Sequence, residues 1–65
     1  MIPVGNEKKV PKSLVDSARK YCESIGADEI HNIAILGEGD YRIMYYIKVD
    51  GVRKMKAQIL RMPCE

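Results

Sequence analysis

From Tyr41 to Leu60 apolar and polar residues alternate almost without a break, and the alternation passes through Asp50-Gly51. A period of two belongs to extended chain, whose successive side chains point to opposite faces, and cannot be laid on a helix. Tyr41, Ile43, Tyr45, Ile47 and Val49 fall on one side and Arg42, Met44, Tyr46 and Lys48 on the other. Beyond the glycine, Met55, Ala57 and Ile59 oppose Lys54, Lys56 and Gln58. Such a hairpin has one face that must be covered, so the rest of a 65-residue chain has to supply the cover.

Parity bears on the turn. Residues directly opposite in a hairpin share a face. A two-residue Asp50-Gly51 loop sets Ile47 across from Lys54 and Tyr45 across from Lys56, which mixes apolar with charged positions. A three-residue loop, Val49-Asp50-Gly51, sets Tyr45 across from Met55 and Ile43 across from Ala57, with glycine where a type I turn and bulge need positive φ. The pattern therefore predicts the three-residue loop.

The cover lies upstream. Leu14, Val15, Ala18, Tyr21, Cys22 and Ile25 recur at spacings of three and four, one stripe of a helix over 13–25. Ser13 with Asp16 reads as a capping box, and Gly26 as the left-handed stop. Asp16, Ser17, Arg19, Lys20, Glu23 and Ser24 make its solvated side. A further strand is expected over 30–36, closed by the turn Gly37-Glu38-Gly39-Asp40. Residues 1–12, rich in Pro, Gly and Lys, form an arm in which Ile2 and Val4 alternate around Pro3 as a short edge strand would.

Together these elements predict one α+β domain over 1–65. A single amphipathic helix packs on a three-stranded antiparallel meander sheet, in the order helix-strand-strand-strand, with a short N-terminal edge strand as an addition. On the parity argument the helix covers Ile33, Ile35, Ile43, Tyr45, Ile47, Met55, Ala57 and Ile59. The far face then carries Asn32, Ala34, Arg42, Met44, Tyr46, Lys48, Lys54, Lys56 and Gln58.

A chain of this size buries only ~60% of its unfolded surface, and such domains often need a disulfide, a metal or a partner subunit. With Cys22, Cys64 and His31 as its cysteines and histidine, the chain lacks a zinc-ligand set. Cys22 falls in the helix stripe as a buried thiol, and Cys64, after Pro63, reads as exposed. No apolar run has membrane-span length, and the N-terminus lacks the basic and apolar regions of a secretory signal. The expected location is the reducing cytoplasm.

The expectation for function is a small non-catalytic binding module. Gly37 to Asp40 resembles a phosphate loop only in its glycines, since a strand follows where a helix N-terminus is required and both acids repel phosphate. His31, read as inward-facing at the start of the first strand, has no nucleophile and orienting group beside it. No catalytic residue, metal, cofactor or small-molecule substrate is therefore expected. The candidate site is the far sheet face: Arg42, Met44, Tyr46, Lys48, Lys54 and Lys56. Basic residues around an outward tyrosine suit single-stranded nucleic acid. The same face, with Met44, Tyr46, Ala34 and Leu36 as an apolar centre inside a basic rim, suits a protein partner or a second copy. Lysines on an exposed strand also serve simply to block edge-to-edge aggregation.

Overall fold

The computed structural model describes residues 1–63. A 3₁₀ turn, Glu7–Lys9, precedes the helix α1, Lys12–Ile25, and three strands follow: β1, Glu29–Gly37, β2, Asp40–Val49, and β3, Val52–Arg61. They form one antiparallel sheet in the order β1-β2-β3, with α1 packed on one side. This is the α+β arrangement that the change from helical to alternating periodicity predicts.

Helix α1 begins one residue earlier than the stripe implies. Pro11 is its N-cap, with no side-chain capping bond, and the Pro11 carbonyl accepts from the amides of Leu14 and Val15. Ser13 lies inside the first turn, so the capping box is not made. At the other end Gly26 takes the left-handed conformation, φ 82°. The Ala27 amide donates to the Cys22 carbonyl and the Gly26 amide to that of Glu23, a full Schellman closure. Leu14, Val15, Ala18 and Cys22 are buried against Ile30, Ile33, Tyr41, Ile43 and Tyr45. The Tyr41 hydroxyl donates to Ser17 Oγ at 3.0 Å, which brings Ser17 onto the packed side of the helix.

The arm folds back and completes the core. Ile2 and Val4 are buried, and Val4 bridges Ile30 in parallel. The Ile30 amide donates to the Pro3 carbonyl and the Gly5 amide to the Ile30 carbonyl, each at 2.9 Å. Gly5 passes so close to β1 that a Cβ there would lie 2.2 Å from the His31 carbonyl oxygen. Asn6 then acts as a piece of strand: its amide nitrogen donates to the Ile33 carbonyl and its oxygen accepts from the Ile33 amide. Arg19 holds the arm from the helix, donating to the Ile2 carbonyl at 2.8 Å and pairing with Glu7 at 3.1 Å.

Between Ile30↔Tyr45 and Asn32↔Met44 strand β1 bulges at His31. The extra residue lets Ile30 and Ile33, three apart, both reach the core. It also corrects the expectation for His31, which is exposed and lies on the side away from the helix, beside Tyr46.

The loop between β2 and β3 has two residues, not three. Val49 pairs with Val52, while Asp50 and Gly51 carry φ of 53° and 79°. Both central residues with positive φ make the type I′ turn whose twist matches that of the flanking strands, the preference for which Asp-Gly is the usual signal. The register that parity rejects is the one formed: Ile47 faces Lys54, Tyr45 faces Lys56 and Ile43 faces Gln58. Met55, Ala57 and Ile59 consequently leave the helix side, and Met55 and Ile59 are 42% and 56% exposed. Parity favours the longer loop only where a helix covers all three strands. A helix is about 10–12 Å across with its side chains and strands lie about 4.8 Å apart, so α1 reaches little beyond two. Ile35, expected inside, is likewise half exposed at the end of β1.

Candidate interaction face

The register divides the residues that the sequence groups together. Arg42, Met44, Tyr46 and Lys48 share the side of the sheet turned away from α1. Lys54 and Lys56 stand on the helix side, past the edge of the helix. The neighbours of Tyr46 and Met44 on β3 are Met55 and Ala57, where parity places Lys54 and Lys56. The open face thereby gains Arg53, Met55, Ala57, Ile59 and Arg61. Its apolar residues are Ala34, Met44, Met55, Ala57 and Ile59; Arg42 lies among them, between Ala34 and Ile59, with Lys48, Arg53 and Arg61 around the outside.

Tyr46 is engaged rather than free. The Arg53 guanidinium lies over its ring, 4.2 Å from the centroid, and the His31 ring meets it edge-on at 6.0 Å. Arg53 in turn is held by Asp28 at 3.1 Å and Glu29 at 2.6 Å. The hydrogen bonds that the guanidinium donates to Asp28 and then to Glu29 raise its pKa. Glu29 faces Tyr46 across the β1–β2 ladder, so this face is not free of acid as the sequence suggests. At the opposite end Arg61 lies 3.8 Å from Asp40. Toward the middle, Asn32 Oδ1 and Arg42 Nε are enclosed without a hydrogen-bond partner among the described residues.

Strand β3 differs from the other two over Val52 to Ile59, and only near its end does Leu60 pack against the core. Every residue from Val52 to Ile59 is exposed, although Val52, Met55 and Ile59 are large and apolar. The Met62 amide donates inward to the Gly39 carbonyl at 2.7 Å, continuing the pairing that starts at Val49 and Val52. Backbone groups alternate in direction along an antiparallel ladder. The even-numbered residues of β3 therefore bond to β2, and Arg53, Met55, Ala57, Ile59 and Arg61 aim their N–H and C=O groups outward. Among the described residues no ion pair involves Lys54 or Lys56.

Compared with known protein families, curated proteins and solved structures, the chain matches none. No helix among the described residues is long and apolar enough to cross a membrane, and no group of three or more His, Cys, Asp or Glu residues among them is placed to hold a metal ion. Cys64 lies outside the described residues. Asp50-Gly51 is the signal that would have added Arg53, Met55, Ala57 and Ile59 to the site from sequence alone, because a two-residue turn fixes their face.

Proposed function

We propose that this chain is a small, non-catalytic protein-binding module that docks through the uncovered side of its sheet. The observation that carries the reading is β3, solvent-exposed residue by residue from Val52 to Ile59 despite its methionine and isoleucine. A contiguous apolar patch inside a polar rim is how protein interfaces are commonly built, and methionine adapts its shape to a partner. Met44, Met55, Ala57 and Ile59 form that centre, with Arg42 beside Ile59 on the middle strand, and Lys48, Arg53 and Arg61 form the rim. Among the described residues the hydrogen-bond partner of His31 is the Tyr46 hydroxyl, at 3.5 Å, and a tyrosine edge-on to the ring suits a structural role.

Nucleic acid is the second reading, favoured by the basic residues Arg42, Lys48, Lys54 and Lys56. It is weakened by the division of those residues between two faces and by Tyr46, whose ring Arg53 already covers. A base-stacking platform needs an open ring. Fluorescence anisotropy of a labelled single-stranded oligonucleotide, at low salt and at about 0.15 M, separates the two. The protein-binding reading predicts that whatever binding occurs at low salt disappears at the higher concentration. A complex that persists there and is lost in Tyr46→Ala would put the nucleic-acid reading in its place.

A further inference from the structure

We propose that β3 binds an extended acidic segment of another protein as a fourth strand of the sheet, which deepens and rests on the protein-binding reading above. The outward N–H and C=O groups of Arg53, Met55, Ala57, Ile59 and Arg61 supply a ladder that another strand can extend, displacing at Ile59 the exposed Gln58 side chain that donates to its carbonyl at 3.3 Å, and side chains on alternate positions supply the selectivity. On the helix side an incoming strand meets Lys54 and Lys56, exposed and without a carboxylate partner among the described residues. On the open side it lies next to Met55, Ala57 and Ile59. The matching segment alternates Asp or Glu with apolar residues.

Charge decides between this occupant and a second copy of the chain. Strand β3 carries Arg53, Lys54, Lys56 and Arg61 and no acid. Outward-bonding residues pair only with one another, so a twofold β3–β3 ladder over the full strand centres on Lys56 or on Ala57. The first sets Lys56 against its own copy. The second sets Arg53 against Arg61 at both ends. Like charges directly opposite destabilise a sheet pair, and lysines on an edge strand are a standard barrier to self-pairing. Lys56 and the Arg53–Arg61 pair resist a copy while Lys54 and Lys56 attract an acidic strand, so Lys56 both excludes and selects. The other edge is not available at the same positions, because the arm already bonds Ile30 and Ile33 of β1.

The test uses three end-blocked synthetic peptides on the full chain: Glu-Val-Glu-Val-Glu-Val-Glu, its Lys-Val counterpart, and the Glu-Val sequence with alternate amides N-methylated. Amide exchange by NMR is the readout. The Glu-Val peptide should slow exchange at Met55, Ala57 and Ile59, and the Lys-Val and N-methylated peptides should not. Lys54→Glu with Lys56→Glu should weaken Glu-Val binding by about tenfold or more, roughly a 1.4 kcal/mol change, and should confer binding of the Lys-Val peptide. Unchanged exchange at those amides with the Glu-Val peptide overturns the proposal, as does equal protection by the N-methylated form. Protection of the same amides without any peptide, with a dimer mass by light scattering, replaces the acidic strand by a second copy and leaves the protein-binding reading standing. An oligonucleotide that survives physiological salt removes that reading as well.

Discussion

The two edges of this sheet carry the same kind of backbone and are treated in opposite ways. At β1 the chain's own N-terminus lies along the edge: Pro3 and Gly5 bond Ile30, and the Asn6 side chain satisfies both backbone groups of Ile33. At β3 no segment among the described residues lies along the edge: the Gln58 side chain donates to the Ile59 carbonyl at 3.3 Å, and the side chains around Met55, Ala57 and Ile59 are exposed. An unpaired edge is a template for another strand. The contrast teaches that exposure at β3 is not a consequence of small size alone, since the same short chain has enough material to close its other edge.

The largest effect that sharpens the contrast is in the core. Ile43 on β2 is fully buried, and Ile43→Ala should cost about 2–5 kcal/mol, enough to unfold a domain this small. Ile59→Ala, on the uncovered strand, should move stability by about 0.5 kcal/mol or less. Urea unfolding of the pair measures the difference, and similar costs for both would mean that β3 is packed. Next comes the arm. Gly5→Ala cannot keep its approach to the His31 carbonyl, and Asn6→Ala strands both backbone groups of Ile33 at about 1–3 kcal/mol. Either change should speed amide exchange at Ile33 and make the β1 edge resemble that of β3.

Alkali should act on the core. Burial pushes the Cys22 thiol from its ordinary 9.0 up to about 11, and burial followed by Tyr21 and Cys22 raises the Tyr45 phenol. Between pH 9 and 11 the unfolded thiol gives up its proton while the folded one keeps it. The folded state then binds more protons, and stability falls as pH rises, by at most about 1.4 kcal/mol for each unit. Stability against pH, compared with Cys22→Ala, checks this: the variant should lose the thiol's share of the slope over that window and keep that of Tyr45. Cys22 should also resist thiol labelling in the native protein. The smallest expected effect is that of Lys54→Glu with Lys56→Glu on folding, about 0.5 kcal/mol or less, so binding lost in that variant is not disguised unfolding.

The elements were legible in the sequence because each has a periodicity of its own. The stripe from Leu14 to Ile25, the glycine stop at Gly26 and the alternation of Tyr41 to Val49 all point to one helix on a meander. The face of β3 was not legible from alternation, because the stretch Val52 to Ile59, exposed on both sides, has no inside to report. Met55, Ala57 and Ile59 look like core only if a cover is assumed. The local chemistry of Asp50-Gly51 carried the register, and it outweighs the apolar pattern when α1 does not reach the third strand. His31 was misplaced for a related reason: a bulge shifts parity by one and leaves no mark in the alternation. The arm's closure of β1 depends on Asn6 imitating backbone, which is a tertiary event between residues 27 apart.

Amide hydrogen exchange on the free protein tests the open-edge account most directly. The account predicts slow exchange at Ile30 and Ile33, held by the arm, and at Lys54, Lys56 and Gln58, bonded to β2. Exchange should be fast at Met55, Ala57 and Ile59 on the same strand. Protection of those three comparable to that of their even-numbered neighbours would contradict it, because the β3 edge would then be covered.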